Sequence, residues 1–349
     1  MALPATMRAA VYRGRGRVEI EERPLPELGP RDVLLRVSHC GVCGTDLHLV
    51  VDGWGRSGAI AGHEYAGWVA AVGAEVAGWA QGDPAVGGPE PGCGVCEYCR
   101  VGRPALCTRA SAMGALEQQG AFAEYVRVGD AQLLRPPRSL LLRVAALAEP
   151  LAVALHGITL AGARAGERAL VTGAGPIGML VLAALRARGV DDVTVSEPSV
   201  LRRELALRVG ARSAVEPEAL SVPRLPFEVP DDACDVAFEC SGKPAAFEAA
   251  LGRLRKAGRL VILGTGMERP RLDANRVLLN ELVVTGGYTY DATGLADALA
   301  LLASGALPTD LLIEPDDVPL EGMLAAMQAL AAGRIGGKVM VAPGARAAR

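Results

Sequence analysis

At 349 residues, half of them apolar and with a formal net charge of −3, the chain is longer than a single core usually grows, so two domains are expected. The small net charge excludes a general pull toward nucleic acid or an anionic membrane surface. No unbroken apolar run of about 18 residues argues for a membrane span, and the N-terminus lacks a secretory apolar core, so a cytoplasmic protein is expected.

In chain order, the first third consists of short apolar runs between Gly, Pro and acidic turns. Arg8–Tyr12, Val33–Val37, Tyr65–Val72 and Ala123–Val126 read as strands of a mostly β domain. Gly73–Gly94 is so rich in Gly and Pro that it reads as loop. Leu140–Leu160 is apolar and Ala-rich, and reads as helix around a break near Pro150. Residues 168 to 290 then alternate: strands at Arg168–Thr172, Val193–Ser196, Ala233–Glu239, Leu260–Leu263 and Val283–Thr285, with helices at Ile177–Arg188, Val200–Val209 and Ala245–Arg255. Such alternation implies a parallel sheet covered on both faces, a doubly wound α/β fold. Pro217–Pro230 reads as a surface loop. The tail reads as helices at Ala292–Ser304 and Met323–Ala332 and a closing strand, Lys338–Val341.

Gly173-Ala174-Gly175-Pro176-Ile177-Gly178 lies between an expected strand and an expected helix. In a dinucleotide-binding turn the first Gly permits the tight bend, the second admits the pyrophosphate and the third lets helix and strand pack closely. The helix that follows offers unpaired N–H groups to the phosphates. Glu197 ends the next strand about 20 residues on, where a carboxylate accepts from the adenosine ribose and repels a 2′-phosphate. NAD is therefore favoured over NADP, although Arg202 and Arg203 stand close enough in sequence to greet a phosphate.

The eight cysteines are clustered rather than scattered, which in a cytosolic enzyme points to metal or catalysis before disulfides. Cys93-x-x-Cys96-x-x-Cys99 followed by Cys107 supplies four thiolates, a closed tetrahedral set that suits structural zinc. A second set is dispersed: Cys43-Gly-Thr-Asp-Leu-His48, Gly62-His63-Glu64 and Glu149-Pro150. A Cys, a His and one or two carboxylates leave a zinc position open for substrate, but spacing alone does not join these three segments.

Those segments, with Gly120–Tyr125, Glu149–His156, the glycine fingerprint and Gly337–Val341, resemble the zinc-dependent medium-chain dehydrogenase/reductase family along essentially the whole chain. The resemblance implies a GroES-like catalytic domain bearing the four-cysteine lobe (residues 1–152 and 291–349) and a Rossmann dinucleotide-binding domain (153–290). It makes Cys43 and His63 zinc ligands and Glu64 a ligand or close neighbour. Glu149 takes the place of the remaining ligand, leaning the chain toward the polyol and threonine dehydrogenase branch. Asp46 is implied to orient a ligand, and Thr45 and His48 to relay the alcohol proton to solvent. Cys40, His39, His156 and Cys240 read as structural, and Trp54 as a wall of the substrate pocket.

The expected activity is hydride transfer between a secondary alcohol or polyol and NAD, with two zinc ions per chain, in a homodimer or homotetramer built along the strand near Leu282–Tyr288. Competing expectations are an NADPH-dependent carbonyl or aldehyde reductase and a non-catalytic zinc- and dinucleotide-binding sensor. A nucleic-acid role for the cysteine lobe finds only Arg100 and Arg103 as bases between Cys93 and Cys107.

Overall fold

The computed structural model describes residues 3–88, 92–109 and 119–346. Its first part is antiparallel. β1 (Thr6–Gly14) and β2 (Arg17–Pro24) form a ribbon. β3 (Asp32–Gly41), β4 (Glu64–Val72), β5 (Pro84–Gly87), β6 (Tyr125–Gly129) and β7 (Leu133–Leu134) build a sheet around β3, which pairs with β4 on one side and β6 on the other. Alternating inward residues such as Val33, Leu35 and Val37 join Phe122, Tyr65 and Val69 in one core.

The second part is a parallel sheet. β8 (Arg168–Thr172), β9 (Asp192–Ser196), β10 (Ser213–Val215), β11 (Cys234–Glu239), β12 (Leu254–Ile262) and β13 (Val283–Gly286) lie in the order β10-β9-β8-β11-β12-β13. Strand order reverses between β8 and β11, the place where open α/β sheets bind ligands at their carboxyl ends. The helices Ala148–Ala161, Pro176–Ala187 and Gly294–Ala303 pack together against it. Their contact surfaces are Ala-rich, which lets helices approach closely in a chain with few aromatics. The chain then returns, and β14 (Met340–Val341) pairs with the end of β3.

Four local expectations are corrected. The loop expected over Gly73–Gly94 contains β5, which pairs Tyr65 with Gly87 and Trp68 with Pro84. Pro84 is tolerated as the first residue of the strand, and a partner strand supplies an order that local composition does not; residues 89–91 of that loop lie outside the described residues. The helical break falls at Ala146–Leu147, ahead of Pro150, which sits in the first turn of the Ala148–Ala161 helix. There its missing N–H costs no helical hydrogen bond. The helix expected to run to Arg255 stops at Gly252, because β12 already begins at Leu254. The strand expected from Ala123 begins at Tyr125, Ala123 making only an isolated bridge to Ala9. Two short elements, β10 and the helix Ala274–Leu279, had no periodic signal at all. Leu142–Ala161 is the one described stretch long and apolar enough to cross a membrane, and most of it is buried in the protein core.

Candidate active site and metal centres

Sheet register assembles the cleft. Gly41, at the end of β3, pairs with Glu64 at the start of β4 and with Met340 at the start of β14. That line brings together Cys43, two residues beyond β3, His63 and Glu64 at the entry to β4, and Lys338, just before β14. Cys43 is the N-cap of the short helix Gly44–Leu47, and its N–H donates to Asp46 Oδ2 at 2.9 Å. Thr45 sits one residue inside that helix, its Oγ1 3.7 Å from Cys43 Sγ.

Among the described residues, Cys43, His63 and Glu64 place a sulfur, an imidazole nitrogen and a carboxylate oxygen all within 4.8 Å of one another. That donor mixture is one zinc accepts. Glu149 stands at the start of the Ala148–Ala161 helix, buried, and outside that trio. Burial pushes its carboxyl up to about 7, partly countered by His63. Burial alone would lower the His63 imidazole, but Cys43, Asp46 and Glu149 outweigh it and raise it well above the ordinary histidine value. Asp46 is fully buried, accepts the Gly62 N–H at 3.3 Å and lies 3.8 Å from His63 Nδ1, so it braces the loop that carries the imidazole.

Glu64 has a partner that sequence reasoning gave no role. Lys338 is buried, donates from Nζ to Glu64 Oε1 at 2.7 Å and to the Val42 carbonyl at 3.0 Å. Glu64 Oε2, although also 2.7 Å from Nζ, remains buried without a hydrogen bond. A buried carboxylate beside a thiol and an imidazole is a donor set that fits a cation, and Lys338 balances its charge. A lysine interrupting the apolar run at the last strand was the available signal for this pair.

In the cysteine lobe, Cys93, Cys96, Cys99 and Cys107 bring four sulfurs within 4.8 Å of one another. None of the eight cysteines is disulfide-bonded. Backbone N–H groups of Cys93 and Arg109 donate to Cys107 Sγ, and that of Cys96 to Cys93 Sγ. The N–H groups of Cys99 and Thr108 bring the Cys96 thiol down to about 6, while desolvation pushes Cys99 up to about 11. Thiolates supported by N–H donors, with no further protein group needed, suit a closed tetrahedral ion.

The glycine turn follows β8. Gly173 takes φ +94°, in the left-handed region, and a Cβ on Gly178 would meet the Gly173 carbonyl at 1.9 Å, whereas Gly175 faces open space. Pro176 and Ile177 open the helix behind it. Glu197 is buried and accepts from Ala174 N–H at 2.8 Å and Ser199 N–H at 3.0 Å, one on each oxygen, so each keeps a lone pair for a hydroxyl. Arg202 is elsewhere engaged: its guanidinium donates to the carbonyls of Ile335 and Leu330. Arg203 likewise holds the carbonyls of Glu197 and Pro198 and the Glu216 carboxylate. Sequence reading passed over Glu239, whose buried carboxylate accepts from Ser241 N–H, Ser241 Oγ and Gly242 N–H beside the turn.

His39 bonds Ser38 and Asp317, and His156 pairs with Asp291, structural roles for both. Cys40 is buried and Cys240 partly buried, and desolvation pushes both thiols well up. Trp54 stacks on His48.

Comparison with known proteins decides the family. Residues 29–138 match the alcohol dehydrogenase GroES-like domain, and residues 176–304 match the zinc-binding dehydrogenase family. Sorbitol dehydrogenase of Bacillus subtilis (strain 168) is 33% identical over 337 residues, covering 93% of this chain and 94% of that protein. The chain belongs to the zinc-dependent medium-chain dehydrogenase/reductase family. L-threonine 3-dehydrogenase of Pyrococcus horikoshii is 35% identical over 305 residues, 84% of this chain and 86% of its own length. A solved zinc-binding dehydrogenase from Sinorhizobium meliloti 1021, bound to NADP, superposes with a TM-score of 0.84 at 30% identity, covering 97% of this chain and 100% of that one. As a family member the protein is an enzyme, a zinc- and nicotinamide-dependent alcohol dehydrogenase of the threonine/sorbitol-like branch.

Proposed function

We propose that this chain is a cytoplasmic homo-oligomeric dehydrogenase that oxidises a secondary alcohol or polyol with NAD. The observation that carries the reading is the Cys43–His63–Glu64 trio, in a chain whose glycine turn is braced by a buried Glu197 with lone pairs left for a ribose hydroxyl. Residues 1–152 with 291–349 act as the catalytic part and 153–290 as the dinucleotide part. Cys43, His63 and Glu64 would hold the catalytic zinc, with Glu149 as the remaining candidate ligand beside them, and Cys93, Cys96, Cys99 and Cys107 the structural one. When bound, zinc supplies a Lewis acid and the nicotinamide a hydride acceptor.

The chain's own groups do the rest. Thr45, adjacent to Cys43, accepts the alcohol proton, and His48 at the rim of the cleft passes it on. Gly173, Gly175, Pro176, Ile177 and Gly178 receive the pyrophosphate at the helix start, and Glu197 orients the ribose. An NADP-linked carbonyl or aldehyde reductase is the second reading, favoured by the NADP-bound relative. Here it would require Arg202 or Arg203 to give up the carbonyls they hold. The exposed Leu278, Leu279 and Val283, on and beside the edge strand β13, support assembly of copies along that edge.

A screen of NADH and NADPH production over secondary alcohols, polyols, amino alcohols and primary alcohols, with zinc analysis of the same sample, tests this. We expect NAD-linked turnover of a secondary alcohol and two zinc ions per chain. A strong preference for NADPH sinks the Glu197 assignment, and metal-replete protein that turns over nothing favours the sensor.

A further inference from the structure

His48 and Asp52 open and close a π-helical turn, a wide turn that often marks a functional segment. Gly53 ends it at φ +90°, and the chain doubles back so that Trp54 donates its backbone N–H to the His48 carbonyl at 3.1 Å. Three groups then fix one imidazole. Asp52 Oδ2 lies 2.7 Å from Nδ1. The Trp54 ring stacks on the imidazole with centroids 4.4 Å apart and planes 10° off parallel. The Thr265 carbonyl, just beyond β12 on the nucleotide side, lies 3.0 Å from Nε2.

We propose that Asp52 is the positioning residue that aims His48, holding the ring by Nδ1 so that Nε2 is the nitrogen presented to the nucleotide cleft. The inference rests on the relay role given to His48 above. A half-exposed His–Asp pair adds little stability on a surface, about 0–1 kcal/mol, so strength is not what this geometry provides. Orientation is. A carboxylate only accepts, which places a proton on Nδ1. The Thr265 carbonyl lies at the other nitrogen, on the nucleotide side. With the proton held on Nδ1, Nε2 is the nitrogen free to accept when a ribose hydroxyl takes the place of the Thr265 carbonyl. The proton it takes at Nε2 leaves again from Nε2 to water, which restores the ring protonated at Nδ1 beside Asp52. One proton enters the ring and one leaves it, and Asp52 is unchanged at the end.

The test uses the full chain, whose four histidines make ring ¹⁵N spectra assignable, with His48 identified by its loss in H48Q. Wild-type protein without cofactor is expected to show a protonated Nδ1 at His48, and D52N to show the proton shared between the two nitrogens. In the zinc-loaded enzyme, D52N is expected to lose about tenfold in kcat, in the range of groups that orient a functional histidine, with the NADH dissociation constant within about twofold and D52E restoring most of the rate. An unchanged His48 spectrum in D52N overturns the proposal. So does a loss of NADH affinity that parallels the loss of kcat, which would make Asp52 a support of the cleft wall. The spectra need no turnover, so a failure of the dehydrogenase reading leaves this result separately readable.

Discussion

The two candidate metal centres differ in how their donor groups are gathered. In the lobe, four sulfurs come from fifteen consecutive positions, and turns at glycines bring them together; a Cβ on Gly92, for instance, would meet Cys99 Sγ at 2.8 Å. In the cleft, Cys43, His63, Glu64 and Lys338 come from the ends of three strands and meet only because β3 pairs in register with both β4 and β14. The donors of the local centre share one short loop with no sheet behind it, whereas the distributed set takes its geometry from paired strands. Metal removal should therefore disorder the first and leave the second standing.

Replacing Cys96 with Ser attacks the local centre. Zinc binding is worth about 10–16 kcal/mol to small zinc-organised folds, so C96S is expected to lose one zinc per chain and to expose the lobe to proteolysis. A lobe that stays protease-resistant without zinc breaks the comparison. Cys43→Ser attacks the distributed centre. It should also remove one zinc, but lower kcat by about a thousandfold, roughly 4 kcal/mol, while circular dichroism and the unfolding midpoint hold. Collapse of the fold in C43S would mean the cleft too depends on its metal.

Lys338→Met probes what holds the cleft without metal. It leaves the Glu64 carboxylate buried and unpaired, an expected loss of about 3–5 kcal/mol in denaturant unfolding. The double variant E64Q/K338M should recover much of it. If the double variant is as unstable as the single, the pair is not the source of the loss.

Glu149 gives a pH test on zinc-stripped protein. Its folded-state value, pushed to about 7 by burial, lies above its unfolded value near 4.5. The folded chain therefore binds the extra proton, and stability falls as pH rises through that window, by about 3 kcal/mol at most. E149Q should abolish this slope, read as the unfolding midpoint between pH 5 and pH 7.5. An unaltered slope places its origin elsewhere. The smallest effect is expected for Arg202→Ala, which removes two hydrogen bonds to the carbonyls of Leu330 and Ile335, about 1–3 kcal/mol. It should leave the NAD-to-NADP preference unmoved; a shift in that preference would return Arg202 to the nucleotide site.

Much of the molecule was legible before any coordinates. Apolar segments such as Arg168–Thr172 coincide with the observed elements, because a continuous apolar pattern has one good burial geometry. The glycine fingerprint and the cysteine spacing were readable for the same reason: each is a local arrangement whose parts are neighbours in sequence. Weakly patterned pieces such as β5 and β10 were not, since their strand character comes from the partner they pair with.

What the sequence by itself determined is therefore the α/β class, the four-thiol lobe and the dinucleotide turn, all set within short windows of chain. Only the tertiary structure decided that Glu64 is clamped by Lys338, that Arg202 is spent on backbone carbonyls and that His48 is held by Asp52, Trp54 and Thr265. Buried charges and aimed side chains depend on which strands meet and in what register. No window of sequence contains both partners of a pair 274 residues apart, and the low dielectric around them makes their pairing obligatory once the fold has closed.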